Sequence, residues 1–210
     1  ARPGTVTAIV GPSGSGKTTI ARLISRFWDV DSGAVMVDGV DIRELGTEQL
    51  MSRLSMVFQD VYLFDDSLIA NIRVGRPDAS DEEVFRAADL SGVTSIANRL
   101  GWHTPVGEGG RLLSGGERQR VSVARALLKQ APIVLFDEAT SALDAENEAN
   151  ILAAMDELRE QSTFIVIAHK LDTIKSADQI VVLDEHGQVS QLGTHSELSD
   201  VPGIYRHFWQ

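Results

Sequence analysis

The sequence contains no cysteine and no long apolar run. Without cysteine, the chain can form neither a disulfide framework nor a thiolate metal site. Its longest apolar runs, such as IVLF and FIVIA, are far shorter than the roughly 20 residues that a membrane-spanning helix needs. Any contact with a membrane must therefore come from another segment or another chain.

Basic residues are also scarce, since 19 lysines and arginines stand against 30 acidic residues and give a formal net charge of −11. A nucleic-acid-binding surface needs a basic face, so this balance argues against one. It does not exclude a phosphate site, because a few local donors can bind phosphate even on an acidic protein.

The apolar residues that are present occur in short segments separated by helical patterns. With 210 residues, 43% of them hydrophobic, the chain can bury one core, which predicts a single domain over residues 1–210. Alternating strands and helices predict an α/β fold with a mainly parallel sheet. The segment from about 60 to 113 is expected to form a helical subdomain. We expect strands at 5–10, 53–60, 132–139, 163–169 and 179–184, a small antiparallel hairpin at 33–42 turning at Asp38-Gly39, and a helix capped by Ser80 and Glu83.

A glycine-rich loop follows the first predicted strand and directly precedes a helix. Residues 11–18, GPSGSGKT, match the pattern G-x-x-x-x-G-K-[ST] in the structural context that the pattern requires. Backbone N–H groups can curl around phosphates there, Lys17 can supply a charge to them, and Thr18 offers a hydroxyl to Mg²⁺. An ordinary strand-to-helix turn is the alternative, but the complete pattern favours a nucleotide site. The residues predicted to contact the nucleotide are Gly11, Pro12, Ser13, Gly14, Ser15, Gly16, Lys17, Thr18 and Thr19.

Two adjacent carboxylates, Asp137 and Glu138, follow the apolar residues of IVLFDE. They are expected at the carboxyl edge of the sheet, where α/β proteins bind ligands. An acidic pair at a strand end often only caps the next helix, but a phosphate loop in the same sheet favours a functional role. Asp137 suits the Mg²⁺ shell, and Glu138 suits the polarisation of an attacking water.

Gln59 and His169 end two further predicted strands. A lone histidine in such a position is usually structural. Because His169 is expected at the same sheet edge as Glu138, we interpret it as a γ-phosphate contact. Gln59 is a candidate contact for Mg²⁺ or the attacking water, although a single glutamine is a weak signal.

The stretch LSGGE begins a second helix with two adjacent glycines. Ser114 and Glu117 fit the S-x-x-E capping box. Gly115 and Gly116 leave backbone N–H groups uncovered at the positive end of the helix dipole. One nucleotide needs only one phosphate cradle, so a second anion site indicates a ligand shared between two chains.

Four motifs in order, GPSGSGKTT, LLSGGERQR, IVLFDEATSALD and the strand that ends at His169, closely resemble the nucleotide-binding domain of ABC transporters. The resemblance covers essentially the whole chain. It implies that Gln59 belongs to the Q-loop and that His169 is the switch histidine. The other matches are the Walker A loop at Gly11–Thr19, the signature at Ser114–Glu117, the Walker B pair Asp137 and Glu138, and the D-loop at Ser141–Asp144.

The resemblance implies an enzyme that binds ATP and Mg²⁺ and hydrolyses ATP. Its implied catalytic residues are Glu138, His169 and Gln59, and its implied metal contacts are Thr18, Gln59 and Asp137. In that family two domains pair head to tail. The second domain's ATP would then contact Ser114, Gly115, Gly116, Glu117 and Asp144.

Further segments resemble the exporter-type branch of the family, namely TPVGEGG before the signature, FDDSLIANI and the C-terminal GTHSELSDVPGIYRHFW. This branch implies a motor that drives substrate across a membrane. Its implied partners are a second nucleotide-binding domain, identical or different, and the coupling helices of a transmembrane domain at the cytoplasmic face of the inner membrane. The family's adenine-stacking aromatic lies upstream of Walker A. We therefore expect the chain to be an N-terminally truncated piece of a longer subunit.

The sequence departs from the family pattern at three positions. Glu117 stands where glutamine is usual, and Pro105 and Gly109 stand in the X-loop where charged residues are common. A carboxylate at residue 117 would repel a nearby phosphate. We expect it to turn back into the capping box or towards Arg118 or Arg120.

Two other classes of protein share some of these motifs. Soluble ABC ATPases of DNA repair or translation are the main alternative, but they typically carry coiled-coil interruptions or paired domains and favour basic surfaces. A P-loop kinase or GTPase would leave the signature and His169 unexplained. The exporter motor is therefore the leading hypothesis.

Overall fold

A six-stranded sheet forms the centre of the molecule. The structure, a computed structural model, describes residues 1–137, 145–168 and 171–207, without the side chains of residues 145–148, 157 and 172. The strands of this sheet are β1 (Val6–Val10), β4 (Leu54–Val57), β5 (Ile133–Asp137), β6 (Thr163–Ile167), β7 (Gln179–Leu183) and β8 (Val189–Gly193). Their order is β4-β5-β6-β1-β7-β8, and every neighbouring pair is parallel except β7 and β8. The predicted mainly parallel α/β sheet is confirmed.

A separate antiparallel hairpin is formed by β2 (Met36–Val37) and β3 (Val40–Asp41). Its two turn residues both lie in the left-handed region, with φ of 51° at Asp38 and 77° at Gly39. Such turns match the twist of the flanking strands, which is why Asp-Gly is a strong hairpin signal. The predicted antiparallel part and its turn are confirmed.

Helices connect the strands and cover the sheet. Among the described residues they are α1 (Lys17–Ile24), α2 (Thr47–Arg53), α3 (Leu68–Arg73), α4 (Asp81–Leu90), α5 (Thr94–Leu100), α6 (Gly115–Lys129), α7 (Ala145–Leu158), α8 (Leu171–Lys175), α9 (His195–Ser199) and α10 (Ile204–His207). In this part of the chain no helix is both long and apolar enough to cross a bilayer.

The central strands are short apolar runs because helices cover both faces of the sheet. All five residues of β1 are buried, and so are the last four of β5. Phe136 and Phe164, on neighbouring strands, stack with ring centroids 6.2 Å apart. Burial on both faces removes the alternation of polar and apolar residues that an exposed sheet shows. The rigid sheet therefore fixes the positions of the loops at its edge.

Short helices α3, α4 and α5 occupy the stretch that the sequence predicts to be helical. Helix α4 begins at the predicted capping box, in which the Glu83 N–H donates to Ser80 Oγ at 3.3 Å and the Ser80 N–H donates to Glu83 Oε2 at 2.9 Å. The treatment of residues 60–113 as a subdomain remains a proposal.

Arg125 on α6 anchors the start of this helical stretch. Its guanidinium donates to the carbonyl of Asn71 at 2.6 Å and to the carbonyl of Tyr62 at 2.8 Å. Fully buried Asn71 accepts from both the Arg125 Nη2 at 2.6 Å and the Phe64 N–H at 2.9 Å. Since hydrogen bonds from a charged group are stronger than those between neutral groups, the loop before α3 is held against α6.

Strand β8 is the one strand of the sheet that the sequence analysis did not predict. It pairs antiparallel with β7 at the sheet edge, and its residues are exposed or half-buried. Edge strands need no continuous apolar run, so VSQLG gave little signal. Some predicted strands also extend one to three residues beyond the observed ends, as at β4, which ends at Val57.

Candidate functional site

The phosphate loop connects β1 to α1 at the carboxyl edge of the sheet. Gly14 and Gly16 have φ of 84° and 88°, and a methyl group built on either would meet no atom within 4 Å. Gly16 caps α1, whose first turn carries no acidic residue. The loop thus presents backbone and a positive helix end to open space, as an anion site requires.

Lys17, at the start of α1, extends its side chain back across the phosphate loop to the loop's first residues. The side chain is 6% exposed, and its Nζ donates to the carbonyls of Gly11 at 2.9 Å and Pro12 at 2.8 Å. Nζ also lies 3.5 Å from Ser15 Oγ. These contacts hold the ammonium across the loop, where it adds a fixed positive charge to the backbone donors.

Thr18 and Asp137 meet between α1 and β5. The Thr18 hydroxyl donates to Asp137 Oδ1 at 3.2 Å, and the Asp137 side chain is buried at 4% exposure. Strands β1 and β5 both pair with β6, where Ile167 is level with Ile9 on one side and Asp137 on the other. The register therefore brings the loop and the carboxylate to one edge, and these hard oxygen atoms suit a divalent cation such as Mg²⁺.

The N-terminus of α6 is the second predicted anion site. Ser114 caps it, accepting at Oγ from the Glu117 N–H at 3.2 Å while its own N–H donates to Glu117 Oε2 at 2.8 Å. A methyl group built on exposed Gly115 would meet nothing nearer than Arg118 Nη2 at 4.0 Å. The capping box is confirmed, and the backbone at Gly115 is open to an approaching group.

Glu117 turns back into the capping box, as expected, and has one further partner. Its second oxygen, Oε1, forms an ion pair with Arg99 on α5. Arg118 donates to the carbonyl of Leu113 at 2.9 Å, and no ion pair with Arg120 occurs among the described residues. Burial alone would raise the pKa of Glu117, but the Ser114 N–H and the Arg99 guanidinium outweigh it and hold the pKa below its usual range.

Gln59 lies two residues beyond the end of β4 and is exposed. The residue before it is tied to α6, because buried Gln119 donates from Nε2 to the Phe58 carbonyl at 3.4 Å. The predicted roles of Gln59 as a catalytic and metal contact remain proposals.

Several predicted site residues fall outside the part of the chain that the structure describes. They are Glu138, Ser141–Asp144 and His169. The strands that lead to them, β5 and β6, are present and end at Asp137 and Ile167.

A family model described as ABC transporter matches residues 1–141 of the chain. The chain belongs to the ABC transporter family.

Curated relatives of this ABC transporter domain carry the name ATP-dependent lipid A-core flippase. The protein from Legionella pneumophila (strain Paris) is 48% identical over 209 residues, which cover 99% of this chain and 35% of the relative. The Vibrio vulnificus (strain CMCP6) protein is 49% identical over 205 residues, covering 96% of this chain and 35% of the relative. The chain thus spans about a third of the length of the curated relatives that it matches.

A solved structure gives the same result for the fold. The chain is similar to a bacterial Atm1-family ABC exporter with ATP bound, with a TM-score of 0.94 and 46% sequence identity over 98% of this chain and 36% of that chain. The P-loop fold of an ABC domain is therefore confirmed. The relatives found by sequence are named as flippases, and the solved structure is named as an exporter. The soluble DNA-repair or translation ATPase is not favoured. Both of these flippases are named as ATP-dependent.

The sequence did not predict the contacts of three residues of this ABC transporter domain, namely Arg99, Gln119 and Arg125. Each donates a hydrogen bond to a residue at least 18 positions away in the chain. Arginine and glutamine on a helix surface look like ordinary solvated residues in a sequence. Only the packing of α5, β4 and the loop before α3 around α6 gives them specific partners.

Proposed function

We propose that this chain is the ATP-hydrolysing motor of an exporter-type ABC transporter and works by ATP-dependent head-to-tail pairing with a second such domain. The observation that carries the proposal is the Thr18–Asp137 contact at 3.2 Å. It joins the phosphate loop to the end of β5, and Glu138 is the next residue in the sequence, which supports a shared site for binding and hydrolysis.

The loop of residues 11–19 binds the triphosphate of ATP. Backbone N–H groups and the N-terminus of α1 attract the phosphates, and the Lys17 ammonium, already held across the loop by the Gly11 and Pro12 carbonyls, adds charge. Because these donors are fixed beforehand, little ordering is required when ATP binds.

Thr18, Asp137 and Gln59 would hold Mg²⁺. When bound, Mg²⁺ neutralises negative charge on the β- and γ-phosphates. Thr18 contributes a hydroxyl oxygen, and buried Asp137 contributes the negative charge that favours a cation next to it. Gln59, on an exposed loop, contributes a neutral oxygen.

Glu138 orients and polarises the attacking water as the general base. His169 contacts the γ-phosphate, and Gln59 assists at the same position. The N-terminus of α6 receives the γ-phosphate of ATP bound to the partner domain through Ser114, Gly115 and Gly116. Glu117 supports that helix end, and Asp144 contacts the partner beside it.

An exposed apolar patch is the proposed contact for the transmembrane domain. Tyr62 and Phe64 are 56% and 51% exposed, and their rings lie 5.8 Å apart. Arg125 sits 5.7 Å from the centre of the Phe64 ring and fixes the loop beneath. We propose that coupling helices dock on this patch, at the cytoplasmic face of the inner membrane.

A change at Asp137 tests the metal part of this proposal. Asp137→Asn keeps the size of the side chain but removes its charge. It is expected to raise the Mg²⁺ concentration for half-maximal ATPase rate by about 10–100-fold. The rate is measured on the full-length polypeptide over a Mg²⁺ titration.

Asp156→Asn is the matched control, because Asp156 is an exposed carboxylate on α7 that pairs with Arg159. It should keep the parental Mg²⁺ dependence. If Asp137→Asn also kept it, the assignment of Asp137 to the metal shell would be wrong.

A further inference from the structure

We propose that Arg99 is a positioning residue for the ATP-bound dimer, because it neutralises Glu117 and so lets the N-terminus of α6 accept the partner's γ-phosphate. This inference rests on the proposed function, since it requires that helix end to face ATP of a second domain. It assigns a task to a residue of α5 that lies 18 positions before the residue on which it acts.

The geometry of Glu117 makes its charge difficult to move away. Oε2 is held by the Ser114 N–H at 2.8 Å, and Ser114 Oγ in turn accepts from the Glu117 N–H at 3.2 Å. Turning the carboxylate outwards would break the capping box, which stabilises the start of the helix. The negative charge therefore stays within the first turn of α6.

That charge has two opposing effects. It interacts favourably with the dipole of its own helix. It also places like charge beside a phosphate approaching Gly115 and Gly116, and such repulsion grows as water is excluded from an interface. An uncompensated Glu117 would thus weaken the site that its own cap builds.

Arg99 removes this conflict. Its Nη2 pairs with Glu117 Oε1, the oxygen that the capping box leaves available. The Glu117 side chain is 17% exposed while that of Arg99 is 53% exposed, so the cation lies on the solvent side of the carboxylate. Buried Ile96 and Ala97 fix the helix α5 that carries it. The pair leaves the cap intact and offsets the negative charge of Glu117.

If this account holds, Arg99 is needed only because residue 117 is a glutamate. A glutamine there could make the same cap through its amide oxygen without a charge to neutralise. Removing the carboxylate should therefore cancel the effect of removing Arg99. A purely structural role of Arg99 predicts no such cancellation.

The experiment uses the full-length polypeptide in lipid nanodiscs, with Glu138→Gln added to every variant so that ATP is not consumed. Domain closure is followed by the distance between two spin labels while ATP is titrated. Arg99→Ala is expected to raise the ATP concentration for half-maximal closure about tenfold. The double variant Arg99→Ala/Glu117→Gln should stay within about twofold of Glu117→Gln alone, because no carboxylate then remains at residue 117 to be neutralised.

Two further variants keep the test decisive. Arg99→Lys preserves the charge and should lie within about threefold of the parent. Arg206→Ala removes an exposed arginine on α10 and should match the parent. Should Arg99→Ala be unstable, Arg99→Gln replaces it in both the single and the double variant.

The outcomes separate this inference from the proposed function. Arg99 has no neutralising role if Arg99→Ala closes at the same ATP concentration as the parent, or if the double variant needs as much ATP as Arg99→Ala. Either result would show that the inference is wrong and would leave the proposed function unaffected. If the parent does not close with ATP at all, the proposed function is wrong and the inference falls with it.

Discussion

A Glu138→Gln variant is expected to bind ATP with parental affinity and to hydrolyse it at least about 100-fold more slowly. The amide keeps the shape of the carboxylate but cannot accept the proton of the attacking water. Binding relies on the phosphate loop, where Lys17 is fixed by the Gly11 and Pro12 carbonyls, so it should not change. The two quantities are measured on the full-length polypeptide as single-turnover ATP cleavage and as equilibrium ATP binding.

The same variant should hold two domains together, because unhydrolysed ATP remains between them. Glu160→Gln, at an exposed glutamate just beyond α7, is the matched control and should turn over ATP at the parental rate. Near-normal turnover by Glu138→Gln would reject Glu138 as the general base. Loss of ATP binding would instead mean that the residue belongs to the binding site.

Gly116→Asp is expected to abolish ATP-driven pairing of the domains. Gly116 lies in the first turn of α6, directly after open Gly115. An aspartate there adds bulk and a charge where a phosphate must approach. The repulsion is about 1 kcal/mol at 4 Å in water and several-fold more where water is partly excluded. Pairing is measured as ATP-dependent closure of the full-length polypeptide.

Gly46→Asp is the matched control for this glycine. Gly46 caps the N-terminus of α2, and a methyl group built on it would meet no atom within 4 Å. Aspartate is favourable at such a cap, so the substitution should leave both the fold and pairing unchanged. Normal pairing by Gly116→Asp would mean that the end of α6 is only capped and binds no phosphate.

Much of the fold follows from local patterns in the sequence. Buried runs predicted the central strands, Asp38-Gly39 predicted the hairpin turn, and Ser80 and Ser114 predicted two helix starts. Each of these signals depends on residues within a few positions of one another, so a sequence displays them directly. The phosphate loop is of the same kind, since its pattern is contiguous and flanked by a strand and a helix.

The contacts that adjust the site could not be predicted in this way. Glu117 forms the capping box that we expected, but its ion pair with Arg99 joins residues 18 positions apart on different helices. Arg125 donates to the carbonyl of Asn71, which lies 54 residues earlier in the chain. Strand β8 forms by pairing with the edge of β7. Such pairings depend on which elements become neighbours, and a single sequence does not display that.

The central claim is that each ATP lies between the phosphate loop of one domain and the α6 end of another. It predicts how two defects combine in a mixed dimer. Lys17→Ala damages the phosphate loop, and Gly116→Asp damages the α6 end. When the two changes lie on different chains, one composite site stays intact, whereas both sites are damaged when one chain carries both changes and its partner neither.

The most direct measurement counts occluded ATP in such mixed dimers. Two differently tagged full-length polypeptides, both carrying Glu138→Gln, are purified as pairs and loaded with radiolabelled ATP. The account predicts one ATP per dimer when Lys17→Ala and Gly116→Asp are on separate chains, and none when they are on the same chain. The reverse result, with ATP retained only when both changes share a chain, would show that each domain builds its site alone and would contradict the account.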